Sequence, residues 1–208
     1  MSRTDGKKTK KTILRAAERL FPKEGFRGTS VAEIAQEAGV NKALIYYYFK
    51  DKNDLIISLF NNIIEELEHH IDETVDTDDS LNQAEQARQE IESELQYLAG
   101  KKRIISLMLR ESLKGANTGD FFFQCAEIVM QHSGRNPAET GEDVSDADRY
   151  KYLADEFFTG FIPMISFVVF RDKWCKYFKC DPDQALQYFL DAFERSHLAR
   201  QAPTDDSP

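Results

Sequence analysis

Hydrophobic residues recur along this chain at the spacing of α-helices, and nowhere do they alternate over a sustained run as in a β-strand. One stripe predicts a helix over about 8–23, with apolar positions at Ile13, Ala16, Ala17, Leu20 and Phe21. A longer stripe predicts a helix that begins after Lys52, with Leu55, Leu59, Ile63, Leu67, Ile71 and Val75 on one side. Further periodic segments predict helices over about 80–98, 102–113, 119–132, 146–178 and 183–199. The pattern therefore predicts an all-α protein.

The segment around Gly39 carries the sharpest local signals in the chain. Ser30 followed by Glu33 is the capping-box pattern that begins a helix. Gly39 ends that helix, because glycine adopts a left-handed conformation without a Cβ clash. Asn41 then provides a cap for a second short helix. Together these signals predict a helix-turn-helix over about 30–49.

One face of the second short helix is predicted to be exposed to solvent. Ile45 and Phe49 share a side, whereas Ala43, Tyr46 and Tyr47 fall on the opposite side, with Lys42 at its edge and Tyr48 on a flank. Tyrosine hydroxyls bind phosphate oxygens, and lysine reaches guanine acceptors in the major groove. This face predicts duplex DNA as a partner. The alternative is that the aromatic run is core, although its three tyrosines span too wide an arc for all to be buried.

These residues resemble a known family. The pattern G-F-x-x-T-S-x-x-x-I-A-x-x-A-G-V-x-x-x-x-I-Y-x-Y-F-x-x-K-x-x-L, within roughly the first 60 residues, is similar to the N-terminal domain of TetR-type transcriptional regulators. The resemblance implies a three-helix DNA-binding domain followed by a helical effector-binding and dimerisation domain. It also implies DNA contacts at seven positions: Ser30, Lys42, Ala43, Tyr46, Tyr47, Tyr48 and Lys52. Two positions depart from the pattern: Pro22 is expected to kink or shorten the first helix, and Ala43 replaces a common glycine.

Charge is distributed unevenly along the chain. The net charge is −9, yet residues 1–60 carry +5 and the remainder carries −14. A basic head is attracted to DNA phosphates and an acidic body is repelled by them. We therefore expect a DNA-binding domain over 1–52 with a basic arm at 1–8, an effector-binding and dimerisation domain over 53–199, and a flexible tail over 200–208. The Gly- and Pro-containing stretch 133–145 is predicted to be a loop.

The last two predicted helices are apolar on nearly every side, which predicts burial on more than one face. The resemblance implies that such helices form a four-helix bundle between two copies. The predicted interface residues are Phe161, Phe167, Phe170, Phe189 and Phe193. A dimer would present two reading heads to a (pseudo)palindromic site. The alternative is that these helices form only the core of one copy.

An apolar cavity with a few polar groups would bind a small effector. The candidate lining residues are Met108, Phe122, Phe123, Met130, Phe158 and Met164, each of which is also an ordinary core residue. Gly160 and Pro163 are candidates for opening a helix beside such a cavity.

The sequence predicts a DNA-binding regulator, a repressor by the family's default, that is released from DNA by a small apolar effector. No phosphate-binding loop, nucleophile triad or zinc spacing occurs, so we expect no enzyme activity, metal or cofactor. The three cysteines, an odd number, favour a reducing cytoplasm, and no apolar run has the length of a membrane span. Two alternatives stay open: an architectural DNA-binding protein without an effector, and a helical enzyme with an appended helix-turn-helix.

Overall fold

The computed structural model describes residues 3–73, 82–114, 120–131 and 145–198, and every regular element within those ranges is helical. The predicted all-α class is thus confirmed. The first four helices are α1 Arg3–Gly28, α2 Val31–Ala38, α3 Lys42–Tyr48 and α4 Lys52–Glu73. The others are α5 Gln83–Gly100, α6 Lys102–Ser112, α7 Asp120–Gln131, α8 Asp146–Asp155, α9 Ile162–Phe178 and α10 Pro182–Phe193. The predicted loop at 133–144, the tail at 200–208 and Val75 lie outside the described residues.

The first helix is longer than the sequence predicted. It begins at Arg3 rather than near residue 8, so the predicted basic arm is wrong for residues 3–8, which are helical. Pro22 lies inside α1, and the helical path breaks three residues later at Gly25, with φ 78° and ψ 158°. The expected kink is therefore present, at a glycine that tolerates positive φ.

The long helix predicted over about 146–178 is interrupted by a π-helical turn. That turn, Glu156–Phe161, joins α8 to α9 without a loop, and a second π-helical segment, Glu194–Leu198, follows α10. By length and composition alone the span Asp146–Phe178 is apolar enough to cross a membrane, a test that core helices of soluble proteins also pass. In this structure its apolar side chains pack on α5 and α10 or lie exposed.

Contacts between residues divide the chain into two compact units. The first comprises residues 1–70 and 103–125, and its core includes Phe21, Ile34, Ile45, Phe49 and Leu59, each 1% exposed or less. Because α2 and α3 are short, their shape depends on these few anchors and on local caps.

The second unit comprises residues 71–102 and 126–208, in which α5 packs against α9 and α10. Arg88 of α5 donates hydrogen bonds to Asp191 and Glu194, and these partners raise the pKa of its guanidinium. The two π-helical segments meet where Gly160 faces His197: a Cβ at Gly160 would lie 2.7 Å from the ring. Gly160 thus admits the buried His197 ring, and this contact explains the glycine without a cavity.

Candidate nucleic-acid interface

Local hydrogen bonds build the helix-turn-helix as the sequence predicted. The Ser30 hydroxyl accepts a bond from the Glu33 amide at 3.2 Å, and the Ser30 amide donates to the Glu33 carboxylate at 2.7 Å. The Ser30 amide, and after it the Ser30 hydroxyl, stabilise the charged Glu33 carboxylate and lower its pKa. Gly39 has φ 66°, and its amide donates to the Gln36 carbonyl. These bonds fix where α2 begins and where the chain turns.

Helix α3 is buried on one side and exposed on the other. The Asn41 side chain accepts a bond from the Leu44 amide at 2.8 Å, which caps the helix. Ile45 is 1% exposed, whereas Tyr46 is 49% and Tyr47 is 76% exposed. Lys42 and Ala43 are exposed beside them, and the Lys42 Nζ lies 5.8 Å from the centre of the Tyr46 ring. The face that the sequence marked for DNA is therefore solvent-accessible.

Tyr48 lies at the flank of this face and is half-buried. Its ring meets that of Tyr47 edge to face, with centroids 5.0 Å apart. A Cβ on Gly6 would lie 3.4 Å from the Tyr48 hydroxyl, so the start of α1 passes close to it. Tyr48 therefore packs in part against its own protein.

Two of the other implied contact residues have partners within the protein. The Ser30 hydroxyl is the cap of α2, although its hydrogen can still be donated. The Lys52 Nζ donates to the carbonyl oxygens of Phe26 at 2.8 Å and of Thr29 at 3.0 Å. It also lies 4.6 Å from the centre of the Phe26 ring. The ammonium group of Lys52 is thus turned toward the end of α1, a role that the sequence analysis missed.

Among the predicted dimer residues, the structure separates buried from accessible rings. Phe161 and Phe193 are 7% and 4% exposed within one copy, so they have almost no surface left for a second copy and are removed from the predicted interface. Phe167 and Phe189 stack with centroids 4.3 Å apart, and Phe170 is 52% exposed. These three line a groove of about 530 Å³ between α9 and α10, together with Pro163, Ser166, Arg171, Trp174, Ala185 and Tyr188.

Trp174 and Tyr188 were not in the predicted interface. Trp174 follows Phe170 by four residues, so helical spacing places the two rings on the same side of α9. Within α9, the predicted interface ended at Phe170 and did not include Trp174. Tyr177 and Phe178 extend the exposed aromatic surface beyond the groove, at 81% and 61% exposure. We call the groove and these two rings the aromatic groove surface.

The six predicted effector residues differ in their surroundings. Met108, Phe122 and Met130 are buried, Met164 is half-buried, and Phe123 and Phe158 are largely exposed. Met108, Phe122 and Phe123 belong to the first compact unit, and the others belong to the second. None of the six lines the groove between α9 and α10. Their role in effector binding remains a prediction. In the described ranges, no three His, Cys, Asp or Glu residues cluster as a metal site.

Comparison with known proteins agrees with this geometry. Residues 13–59 match the family model described as bacterial regulatory proteins, tetR family. The HTH-type transcriptional regulator AcrR of Shigella flexneri is 42% identical over 59 residues, which are 28% of this chain and 27% of AcrR. Matches to the curated relatives cover only 26–50% of their lengths. The family match covers α2 and α3 and parts of α1 and α4.

Solved structures resemble the fold over most of the chain. A putative TetR-family transcriptional regulator from Rhodococcus sp. has a TM-score of 0.60 and 15% identity, over 91% of this chain and 98% of that one. The regulator FadR from Bacillus subtilis, in complex with stearoyl-CoA, has a TM-score of 0.54 and 22% identity, over 88% of this chain and 96% of that one. The resemblance to TetR-type regulators is confirmed: it lies in the sequence of the head and in the fold of nearly the whole chain.

Proposed function

We propose that this chain, whose N-terminal domain is of the TetR type, is a transcriptional regulator that binds duplex DNA through α3. The observation that carries the proposal is the exposure of Tyr46 and Tyr47 on a helix whose opposite side, at Ile45, is sealed in the core. Exposed rings are costly on an ordinary surface unless a partner covers them. Lys42 beside them and the net charge of +5 over residues 1–60 make a polyanion the fitting partner.

The chemistry of this face suits the major groove. Tyrosine hydroxyls donate to phosphate oxygens, and their rings pack on sugars and thymine methyl groups. The ammonium of Lys42 reaches guanine O6 and N7, and the small Ala43 lets α3 approach the base edges. The capped N-terminus of α2 at Ser30 lies in the same domain and supplies further phosphate contact.

Selection of binding sites from random duplex DNA, followed by fluorescence anisotropy at several salt concentrations, tests this proposal. We expect a selected site bound with an affinity that falls steeply with salt. The double variant Tyr46→Ala/Tyr47→Ala is expected to lose about tenfold or more in affinity, and Tyr150→Ala, which removes a tyrosine of α8 that is 63% exposed, should lose none. Equal affinity in the double variant and the wild type would contradict the proposal.

The regulator acts, in this proposal, as a homodimer formed through the aromatic groove surface. Phe167, Phe170 and Phe189 line a groove that one copy leaves open, and Trp174 lies on the same face. An apolar surface of this kind is typical of an interface. Two copies would then read a (pseudo)palindromic operator with half-sites at least about one DNA turn apart. Protection of one asymmetric half-site by a monomer would contradict this arrangement.

A small apolar effector would regulate DNA binding in the cytoplasm, with repression as the expected effect. The similar fold of a FadR that is solved with stearoyl-CoA supports a ligand with an apolar chain. An effector that prefers one arrangement of the heads by about 1–3 kcal/mol changes operator affinity about 5–150-fold. Thermal-shift screening of fatty acids, acyl-CoA esters and aromatic compounds, then operator binding with each hit, tests this part. A ligand that binds tightly and leaves operator affinity unchanged would contradict it.

A further inference from the structure

We propose that Lys52 is a positioning residue for DNA binding, which holds together the two ends of the helix-turn-helix instead of serving mainly as a phosphate contact. The inference rests on the proposed DNA-binding function and refines how one implied contact residue serves it. Its basis is the place where the Lys52 ammonium lies: against two backbone carbonyls and a ring at the end of α1.

The bonds of Lys52 span the entire reading unit. Thr29 immediately precedes Ser30, the cap of α2, and Lys52 is the first residue of α4, four residues after α3 ends at Tyr48. The bond from Lys52 to Thr29 therefore joins residues 23 positions apart and closes a loop that contains both α2 and α3. One side chain thus fixes the distance between the entry and the exit of the helix-turn-helix.

The end of α1 is a favourable place for these donors, although the Gly25 carbonyl there already accepts a bond from the Thr29 amide at 3.1 Å. The last carbonyls of a helix lack intrahelical partners and carry partial negative charge, so a cation there is favourable. The buried Thr29 hydroxyl donates to the Gly25 carbonyl at 2.9 Å, and the Lys52 ammonium donates to the Phe26 carbonyl next to it. The Phe26 ring, 5.5 Å from that of Phe21, presents a face to the ammonium.

A contact with a DNA phosphate would use the Lys52 ammonium differently. An ammonium has three donor hydrogens, and two are directed at carbonyls of its own protein. If Lys52 mainly neutralised a phosphate, its removal would lower the slope of log affinity against log salt by about 0.9 for each half-site, which is about 1.8 for a dimer on its operator. If it mainly positions α2 and α3, affinity falls while that slope stays the same. The salt slope therefore separates the two roles.

The first arm of the test needs no DNA. Hydrogen exchange is compared in the full-length wild type, Lys52→Met, Lys52→Arg and the control Lys50→Met, which removes an exposed lysine two residues away. Lys52→Met should speed amide exchange at residues 29–33 and in α3 by about tenfold or more. Lys52→Arg should restore protection, because it keeps the charge and the donors, and Lys50→Met should leave those amides unchanged. Unchanged exchange in Lys52→Met would overturn the proposal.

The second arm measures operator affinity against salt, well below the unfolding temperature of each variant. We expect Lys52→Met to weaken operator binding about tenfold or more with the wild-type salt slope, and Lys52→Arg to recover most of it. Lys50→Met measures how operator affinity changes when a positive charge is lost two residues from Lys52. A slope reduced by about 0.9 for each half-site in Lys52→Met would return the residue to a phosphate role and overturn the proposal. If the wild type bound no duplex at all, the proposed function would fail, and the exchange result would still decide whether Lys52 holds the two ends together.

Discussion

The face of α3 and the aromatic groove surface both expose rings, yet their chemistry suits different partners. On α3 the exposed rings are the tyrosines 46 and 47, next to Lys42, in a segment of net positive charge. In the groove the rings are mainly Phe170, Trp174 and their neighbours, with few polar atoms among them. A pair of hydroxyl-bearing rings beside a lysine suits a hydrated polyanion. A lining whose rings are mostly phenylalanine, with Arg171 and Tyr188 among its polar groups, suits a protein interface that has an apolar centre and a polar rim. Exposed rings that cluster indicate a binding surface, and the neighbouring chemistry indicates the class of partner.

The two surfaces also differ in what holds them. α3 has seven residues and depends on Ile45, on the Asn41 cap and on the turn at Gly39. The groove is carried by α9 and α10, which have 17 and 12 residues and pack on each other and on α5. Small local changes should therefore disturb the reading face, whereas disrupting the groove requires a change of polarity. The following predictions test that contrast.

The largest effect is expected from a charge placed in the groove. Phe170→Glu would bury an unpaired carboxylate in the proposed dimer, at a cost of about 3 kcal/mol or more, which is over 100-fold in dimer affinity. Analytical ultracentrifugation measures this change. Trp174 gives a second readout, since it is the single tryptophan of the chain and is 44% exposed in one copy. Its emission should be blue-shifted in the dimer and red-shifted in Phe170→Glu.

Tyr150→Glu is the matched control, because Tyr150 is 63% exposed on α8, outside the groove lining. It should leave both the dimer and the emission unchanged. The wild type could instead sediment as a monomer at all concentrations and show the same emission as Phe170→Glu. That result would contradict a dimer formed through the groove.

A smaller and more selective effect is expected on the reading face. Lys42→Ala should weaken operator binding and reduce discrimination at one base pair of each half-site by about 1–3 kcal/mol, because lysine reads guanine acceptors. The dimer should be unaffected. Affinities for single-base variants of the selected operator measure this change. An equal loss on every sequence would assign Lys42 to a phosphate instead of a base.

The sequence predicted the reading head more completely than the groove, for a physical reason. Ser30, Glu33 and Gly39 act on residues at most five positions away, so their roles are visible in a short stretch of letters. The contact of Lys52 joins residues 23 and 26 positions apart, and no local pattern reveals it.

The burial of residues at the groove was also not predictable from the sequence pattern. Phe161 and Phe170 are the same residue type in one apolar stretch, yet one is buried and the other is half exposed. Burial is decided by how α9 meets α10 and the π-helical segments, which helical periodicity alone does not give. The π-helical turn at Glu156–Phe161 also shifts which residues share a face after it.

A modest loss of stability is expected from the turn. Gly39→Ala places a Cβ where nothing lies within 4 Å, so its cost comes from the backbone at φ 66° and amounts to about 1–2 kcal/mol. Gly28→Ala is the matched control: it adds the same methyl group inside α1 with 3.8 Å to the nearest atom, and should be neutral or stabilising. Urea unfolding, with hydrogen exchange of α2, compares the two variants. Equal free energies of unfolding for Gly39→Ala and Gly28→Ala would mean that the positive φ at position 39 does not require glycine.

The smallest effect is a pH dependence of the α2 cap. The Ser30 amide and then its hydroxyl lower the pKa of Glu33 in the folded protein, so the charged carboxylate stabilises the cap above its ordinary pKa. That contribution is lost as the pH falls through the lowered pKa. The melting temperature of wild type should therefore exceed that of Glu33→Gln near neutrality, and the difference should vanish in acid, since the amide of glutamine does not titrate. Ser30→Ala should keep this pH dependence, because the backbone amide at position 30 still donates to the carboxylate. A difference that is constant across pH would show that the charge of Glu33 contributes nothing to the start of α2.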